Sequence, residues 1–474
     1  MRSRHARRGM MALAVTALCG CNLAPPYVRP EVAVPSTYVT SIDSPVHDSG
    51  MSAPVLGWSA YFQDPVLQGL IEQALRNNRD LAAAVARMEQ ARAQFRIQRS
   101  QRLPGLEISG SGQRLRTPIS AADGAARVTV DNYAVQVGIP AFELDFWGRV
   151  ANLSEAARRQ YLATAEARDA AALSLIATVA ATYYAVRASE AGIVLAERSL
   201  ASRQETRELA QLRMDAGLTS SVDFNQSYAL VTQAEVQLAE LRRSHGQAVQ
   251  LLQFLVGTPL PPTLPPGRPL EPDAQLARLQ PGLPSALLEA RPDVRLAEQQ
   301  LRAANANIGA ARALYFPLIA LTGAGGYASS SLSGLVSDSN RVWSFGAGAV
   351  LPLLDWGARR ARVDAAVAAR DEREVSYQST VQNAFREVAS GLVAAEQNDR
   401  QIAAQLQAVQ VQQALVDTAQ DRYEVGLTPY LEVLDAERSH FTAEQTLLQL
   451  RASALQDAVN LYAALGGGQL SRSP

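Results

Sequence analysis

The side chains able to do chemistry are few in this chain, and none of their spacings serves catalysis. His5 falls within the first 20 residues, and His47, His245 and His440 stand apart with no carboxylate or thiol set to complete a metal site. Each of these three reads as a solvent-facing histidine. Gly323-Ala-Gly-Gly-Tyr327 is glycine-rich but lacks the Lys-Ser/Thr that holds phosphate, and it falls in a stretch patterned as a strand. The polar group that could act is Leu431, Asp435 and Arg438, at i, i+4 and i+7 on one helix face. Repeated around an axis, Leu431 would make an apolar constriction and Asp435 an acidic ring that favours cations and resists anions. The plainer reading of Asp435 and Arg438 is a surface pair worth roughly 0.3 kcal/mol.

The remaining reactive group is a thiol. Four arginines (Arg2, Arg4, Arg7, Arg8) precede an apolar stretch, 10–18, that is too short to span a bilayer, and small residues follow: the pattern of a secretory signal. Leu18-Cys19-Gly20-Cys21 resembles a bacterial lipoprotein signal box, in which cleavage leaves Cys21 first and acylated. No later cysteine exists to pair with it in an oxidising compartment. Covalent lipid contributes about 0.8 kcal/mol per buried CH₂, enough to tether the amino end. Asn22, where an Asp would favour inner-membrane retention in enterobacterial lipoproteins, points to the outer membrane. Apart from that lipid no cofactor is expected. Without the signal the balance is 40 basic against 45 acidic residues; every basic residue is Arg, none clustered along a groove, and no nucleic-acid role is suggested. No other stretch reads as apolar enough for a transmembrane helix.

The elements that must carry these groups come twice. Residues 80–110 and 293–323 share an Asp start, an Ala-rich helical body, a Pro and a Gly at a constant offset of 213. Leu144-Asp145-Phe146-Trp147-Gly148-Arg149 is echoed by Leu354-Asp355-Trp356-Gly357, and Arg213-Met-Asp-Ala-Gly-Leu-Thr219 by Arg422-Tyr-Glu-Val-Gly-Leu-Thr428 at an offset of 209. Two copies of one helix, strand-pair and helix unit imply a pseudo-symmetric architecture.

Within a copy, apolar spacing predicts a helix over 64–102, ended by Pro104. Tyr133, Val135, Val137 and Ile139 alternate with Ala134, Gln136 and Gly138, and Trp343, Phe345 and Ala347 with Ser344, Gly346 and Gly348, which predicts strands with one apolar face. Long Pro-free stretches, 148–215 and 356–424, predict helices on the order of 100 Å long, each followed after Gly-Leu-Thr by a return helix, 221–256 and 430–465. The predicted organisation is a signal peptide (1–20), a lipidated Pro-rich tether (21–62), a first repeat (63–257, strands about 103–120 and 132–145), a linker (258–284), a second repeat (285–466, strands about 316–335 and 341–355) and a tail (467–474).

Four strands cannot close a membrane barrel, for which the smallest count is about eight. Open edges are intolerable in lipid, so the strands must be completed by copies of the chain. Two copies give eight strands and three give twelve; periodicity does not choose.

The residues match a family. Tyr27-Val28-Arg29-Pro30, Trp58, Phe62-Gln63-Asp64-Pro65, Phe142-Glu-Leu-Asp-Phe-Trp-Gly-Arg149, Arg291-Pro292-Asp293, Phe316-Pro317, Leu351-Pro-Leu-Leu-Asp-Trp-Gly357, Arg422 to Thr428, Tyr430-Leu-Glu-Val-Leu-Asp-Ala436 and Ala464-Leu-Gly-Gly-Gly468 occur in order across nearly the whole mature chain. With them the chain resembles the outer-membrane efflux channels of the TolC and OprM type, lipoprotein branch. The resemblance implies an α+β membrane protein: a trimeric 12-stranded β-barrel, four strands per chain, on a long α-helical periplasmic tunnel, with an internal two-fold repeat. It implies that 258–284 and the tail supply an equatorial belt.

It further implies a passive conduit of a tripartite efflux or type I export system. The partners would be two further copies in a homotrimer, a periplasmic adaptor (membrane fusion) protein, an inner-membrane transporter and outer-membrane lipid. Leu431 and Asp435 match the closing rings of the tunnel, with Arg438 beside them, and Gln226 holds the place of Asp435 in the first repeat. Arg422 and Tyr423 match contacts that hold the inner helix pair shut. Arg213, Gly217, Leu218 and Thr219, with Gly426, Leu427 and Thr428, match the tips that meet the adaptor, although both glycines also suit a left-handed helix cap. The competing reading is a non-conducting periplasmic coiled-coil scaffold lipoprotein, which would need no barrel strands. The cargo is not legible, because selectivity sits in the pump.

Overall fold

A computed structural model describes residues 22–33, 35, 51–52, 56–121, 124–277, 279–280 and 290–467. The signal segment 1–20, Cys21, His47, Pro45, Pro54, Pro281, Pro284 and the tail from 468 onward lie outside the described residues.

The repeat is visible element by element. Helices α1 (Pro65–Asn77) and α2 (Arg79–Ser100) lead to strands β1 (Glu107–Ala121) and β2 (Gly124–Glu143), then to the 67-residue helix α3 (Arg149–Asp215) and the return helix α4 (Ser221–Val256). The second copy runs α5 (Pro292–Ala313), β3 (Leu318–Ser329), β4 (Arg341–Val350), α6 (Ala358–Glu424, again 67 residues) and α7 (Tyr430–Ala464). Both ends of α5 lie 213 beyond those of α2, and both ends of α6 lie 209 beyond those of α3. The change of offset therefore arises in the strand hairpin, four residues shorter the second time.

The single helix predicted over 64–102 is two. Asn78, with extended backbone, separates α1 from α2; its Nδ2 donates to the Leu255 carbonyl at 2.9 Å and its Oδ1 accepts from the Leu81 amide at 2.9 Å. A side chain able to cap one helix while satisfying the end of another stops the first. The strands also differ from the pattern. β2 starts eight residues before the predicted 132 because β1 and β2 pair continuously to Ala121 and Gly124, so most of the supposed turn is ladder. β3 ends at Ser329 rather than 335, where serines and glycine turn the chain.

The chain forms two compact units. One takes the described residues of Met1–Glu31, Arg87–Thr164 and Ala297–Tyr377 and contains the antiparallel sheet, in the order β1-β2-β3-β4. The central β2–β3 pairing joins the two repeats, with Val137 opposite Gly325. Among the described residues, neither β1 nor β4 has a partner on its outer edge. One face carries Ile108, Val135, Val137, Trp343 and Phe345, all exposed; Trp343 is 81% exposed. On the opposite face the strands approach closely at glycines. A Cβ on Gly138 would lie 2.4 Å from the Gly323 carbonyl oxygen, and one on Gly326 would lie 2.1 Å from that of Val135.

The other unit, with Val32–Ala86, Ala165–Leu296 and Gln378–Pro474, holds the apolar core. Tyr61 stacks on Tyr462 (4.4 Å, 6°), surrounded by Phe62, Leu67, Ile71, Val179, Leu252 and Leu455. Asp64 is fully buried there: it caps α1 by accepting from the Val66 amide, and accepts also from the Tyr183 hydroxyl (2.7 Å) and the Arg268 amide (3.0 Å). That triple demand explains the Asp64 of Phe62-Gln63-Asp64-Pro65. Arg291 is likewise buried, donating to the Ala464 carbonyl at the end of α7 and pairing with Asp293 and Glu387. Contrary to the sequence reading, α3 does contain a window apolar enough to cross a membrane, with mean hydropathy 1.4. More than half of it is buried, and Leu173, Ile176, Val179 and Tyr183 of α3 line the core, so its apolarity is already used.

Candidate functional site

The predicted tip residues lie on two turns with one geometry. In the first, Gly217 is left-handed (φ 72°), its amide donates to the Met214 carbonyl, and Leu218 donates back to Arg213 at 2.8 Å. In the second, Gly426 (φ 77°) donates to Tyr423 and Leu427 to Arg422 at 2.9 Å. Only glycine takes that conformation cheaply, so the glycines are needed as helix caps whatever docks on them. Leu218 and Leu427 project at equivalent positions and are exposed.

The restarts after the turns differ. Ser220 and Asp223 form a reciprocal capping box at the start of α4, and Thr219 Oγ1 donates to Asp223 at 2.7 Å; these bonds hold the Asp223 carboxyl below its usual range. At α7 the cap position is Pro429, with no side-chain cap, and the Thr428 hydroxyl is buried without a hydrogen-bond partner. The second tip is held instead by the first hairpin. Arg213 lies over the Tyr423 ring (4.9 Å), Tyr423 packs against Tyr430 (4.8 Å), and Tyr430 shares a 2.7 Å hydrogen bond with Thr206. Burial pushes the Tyr430 hydroxyl up. Arg213, Leu218, Thr219, Tyr423, Tyr430 and Leu431 line a cavity of about 290 Å³ that also admits Gln226. Arg422 pairs with Glu432 at 3.5 Å inside its own hairpin.

Leu431, Asp435 and Arg438 share one face of α7, all exposed, while Val433 and Leu434 are buried. Asp435 and Arg438 do form the surface pair (2.9 Å), which leaves the pair itself worth under about 1 kcal/mol. A second cavity of about 230 Å³, lined in part by Arg203, Glu437, Arg438, His440 and Glu444, lies further along α7. Arg203 is buried, donates to the Leu230 carbonyl at 2.9 Å and lies over the Phe441 ring. Burial pulls its guanidinium down and pushes the Glu437 carboxyl up. His440 and His245 are half-buried rather than solvent-facing: His440 lies 3.7 Å from Glu444, and His245 bonds Ser189 at 3.0 Å.

Cys21 is outside the described residues, but the chain beside it is laid along α5. Arg312 donates to the Leu23 carbonyl, Asn305 to that of Pro25 (2.8 Å), Arg302 lies over the Tyr27 ring (4.6 Å), and Tyr27 and Arg29 both donate to Glu298. Burial alone would raise the Glu298 carboxyl; Arg29 and Arg302 outweigh it and hold it low. The Tyr27 hydroxyl is pushed up to about 12 by burial and by Glu298.

Arg203, Thr206 and Glu437 escaped the sequence reading, and Tyr430 entered it only as part of a motif. Thr206 and Tyr430 are 224 residues apart and carry no local signal, whereas Ser220-Ser-Val-Asp223 is a capping pattern that could have been found.

Residues 70–258 and 283–467 match the family described as outer membrane efflux protein. The probable efflux pump outer membrane protein TtgC of Pseudomonas putida is 39% identical over 465 residues, 97% of this chain and 96% of that one. Outer membrane protein OprJ of Pseudomonas aeruginosa is 36% identical over 461 residues, with 97% and 96% covered. The open-state structure of the Neisseria gonorrhoeae MtrE outer membrane channel superposes with a TM-score of 0.86 at 38% identity, covering 94% of this chain and 98% of that one.

Proposed function

This chain belongs to the outer membrane efflux protein family, and from that membership we propose a passive exit duct built from three copies of it. It is the outer-membrane channel component of an efflux system. Three four-stranded sheets would close a 12-stranded barrel above a helical tunnel, with lipid on Cys21 as a further hold on the membrane. A periplasmic adaptor would meet the turns at Gly217 to Thr219 and Gly426 to Thr428, and an inner-membrane transporter would supply the energy. The observation that carries this reading is the sheet itself: apolar side chains exposed on one face and two edges without partners among the described residues, which lipid forbids in a lone chain.

Leu431 and Asp435 are the closing residues in this reading, carried by the half of the molecule whose turn is held by breakable contacts. Cross-linking and mass measurement in detergent should give a trimer, and the purified protein should conduct ions across planar bilayers. A single chain that conducts nothing would end the proposal. Intact mass of the amino-terminal peptide tests the lipid separately.

A further inference from the structure

The two repeats are alike in sequence at the corner where strand becomes long helix, and unlike in what surrounds it. In the first, the Trp147 ring stacks on Phe316 (4.5 Å, 20°) and its Nε1 donates to the Pro317 carbonyl at 3.0 Å. The Leu144 amide, just before it, donates to the Ile319 carbonyl at 2.8 Å and prolongs the β2–β3 pairing. In the second, Leu353, Leu354 and Trp356 follow the free-edged β4 and are bare; Trp356 is 90% exposed. Trp356 also has φ 53°, the one positive φ outside glycine among the described residues. A bulky residue takes such a conformation only where its surroundings impose it. Among the described residues nothing covers this indole.

The repeat identifies the missing cover. At the offset of 213 that relates α2 to α5, Phe316, Pro317 and Ile319 correspond to Leu103, Pro104 and Leu106. Those three lead into β1, the other free edge, and all are exposed. Each chain thus has an unfilled tryptophan corner at one edge of its sheet and an uncovered Leu-Pro step at the other. Inside the chain, the equivalent pair of surfaces fill each other.

We propose that Trp356 docks on Leu103 and Pro104 of a second copy of this chain, stacking on that Leu-Pro step and donating its indole N–H to the Pro104 carbonyl. The contact would be a fastener between copies, repeating at each junction the one already made between repeats by Trp147. This inference rests on the self-assembly reading above. Its rival occupant is the lipid headgroup layer, where exposed tryptophans also settle.

The test places a photo-activated benzophenone side chain at position 356 of the full-length protein in outer-membrane vesicles. Irradiation should give covalent oligomers, and digestion after arginine should find the link on the peptide 103–114. Leu103→Ala should lower the yield, and Trp356→Ala should weaken oligomers in detergent by about tenfold or more, the scale of a buried aromatic anchor. Trp356 should be shielded from brominated lipid, read as the difference between the protein and Trp356→Phe. Links to lipid or to other peptides, with oligomers intact, would overturn the fastener alone; absence of oligomers in the unmodified protein would overturn the assembly reading with it.

Discussion

The two helix-hairpin tips begin from the same seven-residue pattern and end with the same glycine cap, yet they are secured differently. The first is tied to itself by Ser220, Asp223 and Thr219. The second has a proline where a cap would be and an unpartnered Thr428 hydroxyl, and it leans on Arg213 and Thr206 of the first hairpin. A turn stitched locally stays folded wherever it goes. A turn held by another element can be released by breaking a few contacts, each worth about 1 kcal/mol. Under the proposed function the first hairpin is the frame, and the second, which carries Leu431 and Asp435, is the part expected to move.

Removing the two side chains proposed to close the duct should have the largest effect. Leu431→Ala with Asp435→Ala should raise single-channel conductance in planar bilayers on the order of several-fold, whereas Gln226→Ala, the matched site in the frame, should leave it unchanged. Equal conductance in both variants would dissolve the distinction. Next come the glycines. Gly217→Val and Gly426→Val each force a left-handed β-branched residue and should cost about 1–3 kcal/mol locally, read by hydrogen exchange at the turns, but only Gly426→Val should alter gating. Smaller still, Ser220→Ala and Tyr430→Phe should each cost about 1 kcal/mol. The first should speed amide exchange at the start of α4 without changing conductance; the second should raise the open fraction.

The smallest effect is a pH dependence with opposite signs in two places. Glu437 is raised by burial, so its contribution to stability is complete below the unfolded carboxyl value of 4.5 and is lost as pH rises through the higher folded value. Glu437→Gln should therefore stabilise the hairpin at neutral pH, with the gain shrinking on acidification. Glu298 is lowered, so its contribution is present above 4.5 and is lost as pH falls through the lower folded value. Glu298→Gln should cost stability at neutral pH and little in acid. Urea unfolding followed across pH separates the two.

Much of this molecule is legible from its repeat. The two 67-residue helices, the turns at Gly217 and Gly426 and the strand pairs all have local signatures, because propensity, glycine and alternation act over a few residues. What was not legible depends on distant partners. Asn78 breaks a helix because Leu255 is there to receive it. The apolar stretch of α3 is a core surface because α1, α4 and α7 supply the other side. At the tip, Tyr423 could be named from its motif, but Thr206 and Arg203 matter only through residues far along the chain.

The strap at Tyr27 and Arg29 has a consequence in time. Its receptor, Glu298, lies 271 residues after Tyr27 and 269 after Arg29, so the amino end emerges long before the surface that will seat it exists. A receptor that belongs to the second repeat means the strap can be seated only after that repeat has been made.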